Sequence, residues 1–193
     1  MTYWRQLLPV FLFFYGQNGI AGVSKNADPD TGLINWTLNQ GALEVQFIQR
    51  LPDQTRGFFS ARGFSSQISN DIAISCVFQM IAKNTQTGDQ AKSFTIKLKE
   101  WELHYKDKMQ QVKLKQQWDA EWSDQQVNQA SRIAFRWATF PSEQTFEPIG
   151  DNNWGMTSLN LPPESIFDLH IIWHEGNHTQ QSWIKNMICP EDR

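Results

Sequence analysis

The chain has 193 residues, a formal net charge of −3 and 19% charged residues. Mild acidity without a basic patch argues against nucleic acid or an anionic membrane surface as a partner. The length suits one domain able to bury its own core.

Residues 1–21 read as a signal peptide. Arg5 precedes an apolar run from Leu7 to Tyr15, too short to span a bilayer, which needs ~20 apolar residues. Gly19 and Ala21 are small residues at the −3 and −1 positions of a cut after Ala21. Nothing later in the sequence is long and apolar, so no membrane span is expected once the signal is removed. The expected destination is the periplasm or the extracellular space.

Residues 22–32 are polar, with turn signals at Asp28-Pro29-Asp30 and Gly32, and read as a flexible leader. Short β-like runs follow. Residues 33–38 and 42–49 are separated by Asn39-Gln40-Gly41, and Leu43, Val45 and Phe47 alternate with polar neighbours. Residues 57–64 form a third run. Residues 72–82 are apolar at nearly every position, as a central strand buried on both faces would be. Phe94, Ile96 and Leu98 alternate with polar residues, and the apolar phase then slips to Trp101, Leu103 and Tyr105, which suggests a β-bulge near Lys99-Glu100.

Val112, Leu114, Gln116 and Trp118 continue a period of two. Ser123 and Gln126 resemble a capping box, which predicts one short helix over 124–130. Ile133, Phe135 and Trp137 resume alternation, residues 141–153 form a polar loop, and strands are expected over 155–161, 166–174 and 182–188. These elements predict a mainly β chain: an antiparallel β-sandwich, immunoglobulin-like or Greek-key in type, with at most one or two short helices. One domain covers 33–189, with a tail over 190–193.

Cys76 and Cys189 are the two cysteines. An even count in an exported chain predicts a disulfide.

Three constellations could carry function. His174-Glu175-Gly176-Asn177-His178 matches H-E-x-x-H literally. A zinc hydrolase needs that motif on a helix, so that both imidazoles share a face. Gly-Asn at its centre and the alternation before it favour a hairpin instead. There, His174 and His178 would flank a three-residue loop and could share Cu or Zn; Met156 and Met187 are soft residues that would suit Cu(I), but no spacing places them near the histidines. His170 shares a strand face with His174, ~13 Å away, and belongs to a different site. The second constellation is tryptophan. Trp101, Trp137 and Trp173 are in phase with apolar neighbours and read as core. Trp154, after Asp151-Asn152-Asn153, is the best candidate for an exposed stacking platform, followed by Trp118 and Trp122. The third is Arg56-Gly57-Phe58, repeated as Arg62-Gly63-Phe64. Its arginines would share one strand face and pair with a partner's carboxylates or with Asp53 and Asp71.

No catalytic residue is assigned. No G-x-S-x-G and no phosphate loop occurs, and Glu143, Glu147 and Asp151 read as solvated loop acids. The expected function is that of an exported, non-enzymatic binding or accessory protein with a protein or carbohydrate partner. The alternatives are a copper or zinc handling protein and a small zinc-dependent hydrolase.

Overall fold

The computed structural model describes residues 22–123 and 125–192. The expected signal segment lies outside them. Within them the chain is mainly β, with two antiparallel sheets and four α-helices.

The first sheet contains β1 (Gly22–Ala27), β2 (Ile34–Gln40), β3 (Leu43–Gln49), β4 (Val77–Asn84) and β9 (Asn152–Ser158), in the order β1-β2-β3-β4-β9. The second contains β5 (Phe94–Lys97), β6 (Glu102–Tyr105), β7 (Lys108–Gln111), β8 (Glu143–Phe146), β10 (Ile166–Glu175) and β11 (His178–Ile188). There β10 is central: β11 lies along one side, and β6 and β5 share the other. The first four strands make a meander in chain order, which gives no support to the immunoglobulin-like form.

The period-two pattern of β3 sends Leu43, Val45 and Phe47 into the space between the sheets. There Phe47 meets Trp101 and Phe78 meets Phe167, across the two layers. The phase slip after Leu98 is real, but a 3-10 turn, Leu98–Glu100, takes it up rather than a bulge.

The helices correct the sequence reading most. They are α1 (Pro52–Ser60), α2 (Ser66–Ala73), α3 (Lys115–Glu121) and α4 (Gln129–Ala138), twice the expected maximum of two. Pro52 opens α1 where a missing N–H costs nothing. Ser65 and Asn128 cap α2 and α4 by accepting the Ile68 and Ser131 amides. The Ser123–Gln126 bonds form, but they close a turn, and α4 starts beyond it.

Residues 57–64, 112–118 and 133–137 were all expected as strands. In α4, positions two apart fall on different helix faces, while 131 and 135, or 133 and 137, share one. Ser131 and Phe135 are buried, whereas Ile133 and Trp137 face outward. Gly22–Ala27, expected as leader, pairs with β2 along its length. Residues 143–146, expected as loop, form β8 against β5.

The helices lay a third layer on the outer face of the first sheet. Phe59, Phe64, Ile68, Ile72, Trp118, Trp122, Val127 and Phe135 pack there with Val77 and Met156. Cys76 and Cys189 are bonded, as expected. Cys76, however, sits in the turn between α2 and β4, at φ 59°, rather than inside the strand.

Candidate site: an aromatic and arginine groove

A groove of about 310 Å³ opens where the helical layer ends and the outer face of the first sheet emerges. It is lined by Arg50, Gln79, Trp154 and Met156 from the sheet side, Phe58 and Arg62 from α1 and the turn after it, and Ala134, Trp137 and Ala138 from α4.

Local chemistry sets each wall. Trp154 lies opposite Ile81 in the β4–β9 register, on the face away from the sandwich core, and is 63% exposed. Trp137 is 84% exposed on the outer face of α4. The two tryptophans are brought together because the chain leaving α4 crosses β9 closely: Phe140 N–H donates to the Met156 carbonyl at 2.9 Å, and Thr139 bridges to Met156. That approach needs Gly155. A Cβ there would sit 2.6 Å from Phe140 Cα and 2.7 Å from the Thr139 carbonyl carbon.

The third wall is tied to α4 by the Phe59–Phe135 ring contact and by Ser131 Oγ, which donates to the Arg62 carbonyl at 2.8 Å. The Arg62 guanidinium lies 3.3 Å from the Phe58 ring centroid and donates to the Phe58 carbonyl. Arg50 approaches the same ring at 6.0 Å. Its Nε is buried without a hydrogen-bond partner, and its guanidinium has no ion pair among the described residues. Burial lowers its pKa below the ordinary arginine value, yet arginine stays charged in proteins. Among the groove-lining residues are two cations and no acid.

Two of the residues expected from sequence, Trp154 and Arg62, thus meet in one groove. The others do not join it. Arg56 lies on α1, not a strand, and is fully engaged: it pairs with Asp53 at 2.7 Å and Asp192 at 2.6 Å and donates to Asn70. Its contacts hold the C-terminal tail. Trp118 and Trp122 are only 5% and 9% exposed and belong to the core under the helices. Both line a separate groove.

His174 and His178 do not face each other. The loop has two residues, and the register pairs His174 with Thr179 and Glu175 with His178, which puts the histidines on opposite sheet faces. His174 Nε2 is 2.5 Å from Glu100 Oε2, and Nδ1 is 3.2 Å from Thr179 Oγ1. The hairpin also denies H-E-x-x-H its helix. Met187 is buried in the sandwich core and Met156 under the helices. Among the described residues no group of three or more His, Cys, Asp or Glu side chains is placed to hold a metal. Glu143 pairs with Lys97 across β8 and β5, and Asp151 accepts the Glu147 amide in the loop before β9.

Arg50 and Trp137 were missed. Arg50 carries no motif, and Trp137 sits in an alternation that fits a strand as well as a helix. No protein-family model, curated protein or solved structure matches the chain.

Proposed function

We propose that this is an exported, non-enzymatic binding protein that holds a saccharide in the groove between Trp137 and Trp154. One observation carries the reading: two largely exposed indoles from different elements face the same concave surface. Isolated exposed apolar residues are ordinary. A pair held across a groove by a glycine-dependent crossing supplies flat apolar faces for sugar rings, with Gln79 beside them for hydroxyl groups. Periplasmic or extracellular residence is supported by the signal-like residues 1–21 and by the disulfide.

A glycan panel screened against the protein tests the reading. Trp137→Ala and Trp154→Ala are each expected to weaken binding of any hit by about tenfold or more, as loss of a central aromatic anchor does. A panel without hits, or hits indifferent to both substitutions, would overturn it and leave a protein partner as the alternative occupant.

A further inference from the structure

We propose that the saccharide is acidic, and that its carboxylate is seated on Arg50 and Arg62 while its ring lies on Trp154. The inference rests on the saccharide reading and narrows it.

Arg50 is held at the groove without an acidic partner among the described residues. A charged group removed from water is tolerated when it is paired and hydrogen-bonded, and is expensive otherwise. Three arginines of the helical layer are paired with acids. Arg56 has Asp53 and Asp192, and Arg136 and Arg132 both reach Asp119. Arg50 differs: it is half-buried, its Nε is buried without a partner, and it makes no ion pair among the described residues. Its neighbours on the same sheet face include Ile48 and Val77, so an apolar side chain would suit the position if packing were the only demand.

Arg62 is the second cation of the groove. It spends one N–H on the Phe58 carbonyl and, among the described residues, none on an acid. Both arginines line the groove beside one phenyl ring: the Arg62 guanidinium packs 3.3 Å from the Phe58 centroid, and the Arg50 guanidinium carbon lies 6.0 Å from it. Guanidinium edges match the two oxygens of a carboxylate in bidentate geometry. Met156 and the two indoles supply the apolar surroundings in which such a pair is strong. A chain of net charge −3 does not attract anions generally, so this local excess of cations is particular to the groove.

Calorimetric titration of the disulfide-intact protein tests the assignment. The probes are trimers of galacturonate, glucuronate and mannuronate, their methyl esters, and a sulfated trisaccharide without carboxylates. At least one uronate trimer should bind about tenfold or more tightly than its own ester, the range of a charged hydrogen bond. Arg50→Gln and Arg62→Gln should each bring that ratio towards one. Trp154→Ala should weaken acid and ester by the same factor and leave the ratio intact. Arg62 lies outside the core, so its variant keeps the test valid if Arg50→Gln fails to fold.

Equal binding of acid and ester would overturn the carboxylate seat and leave the saccharide reading standing. Binding of the sulfated trisaccharide with no uronate bound would also overturn it. Failure of every acid, ester and sulfated probe overturns it too, and the neutral glycans of the panel then decide whether the saccharide reading survives.

Discussion

Gly155 decides more of the candidate site than any residue that touches its interior. Its missing side chain lets the Thr139–Phe140 backbone lie on β9, and that crossing sets the end of α4, hence Trp137, beside Trp154. The added Cβ of Gly155→Ala would meet backbone rather than a flexible side-chain tip, so relief requires moving the crossing itself. We expect the variant to lose about 1–3 kcal/mol, the usual cost of overpacking, and to bind saccharide more weakly than its stability loss alone explains. Urea denaturation and a binding titration on the same sample measure both. An unfolding midpoint equal to wild type would show that the crossing has room to spare. Residue by residue, the site was half legible. Trp154 announces itself through the polar Asp151-Asn152-Asn153 before it, and Arg62 through the repeated Arg-Gly-Phe. Trp137 does not, because Ile133, Phe135 and Trp137 satisfy a period of two, and only the burial of Ser131 with Phe135 reveals the helix. Arg50 is one charged residue at a strand end, and its significance lies in what is absent around it, which no local pattern records.

Among the elements, α3 and α4 form the clamp that keeps the groove's outer wall in place. Asp119 of α3 meets Arg132 at 2.8 Å and also Arg136, both on α4. Burial pushes the Asp119 carboxyl up, but the hydrogen bonds and charges of Arg136 and Arg132 outweigh it, and the net pKa lies below the ordinary aspartate value. A carboxylate with a lowered folded pKa contributes stability above its unfolded pKa, near 3.9, and loses that contribution as pH falls through the folded value. The α3–α4 pair should therefore loosen below about pH 4. Tryptophan fluorescence, with Trp118 on α3 and Trp122 at its C-terminal end packed into the core of this layer, should change before the far-ultraviolet signal of the sheets. Asp119→Asn should be less stable than wild type at neutral pH, and the gap should narrow as pH drops. A gap constant from pH 7 to pH 3 would show that the charge contributes nothing. The sheets were more legible than the helices for a physical reason. A strand between two layers exposes its period directly, as β3 and β10 do. A short helix of seven to ten residues, packed by only a few of its side chains, leaves too few apolar positions to fix a period of 3.6.

For the molecule as a whole, the disulfide joins the layers. Cys76 precedes β4 of the first sheet and Cys189 follows β11 of the second, 113 residues later, with Cα atoms 5.1 Å apart. Around it the chain is already held by many contacts. Gln49 donates to the Ile188 carbonyl, Cys189 N–H to Ser165, and Leu159 N–H to the Cys76 carbonyl. The cross-link is thus not needed to bring the two ends together in the folded state. Its main effect falls on the unfolded chain, where closing so long a loop removes conformational freedom worth about 4–5 kcal/mol in the chain-entropy model. Replacing both cysteines by serine should leave the sandwich folded, because its core of aromatic and aliphatic side chains is continuous without the sulfurs. The midpoint of urea unfolding should fall by the equivalent of that energy, and reductant should lower the wild-type midpoint to match. The same preparation tests export. Protein recovered from the periplasm or medium should begin at Gly22 or Val23 and carry no free thiol. Recovered protein that begins at Met1 with two free thiols would remove both the compartment and this share of the stability. The groove would then have to be reread for a ligand of the reducing cytosol, because its geometry depends on Gly155 and the helices and not on the sulfurs.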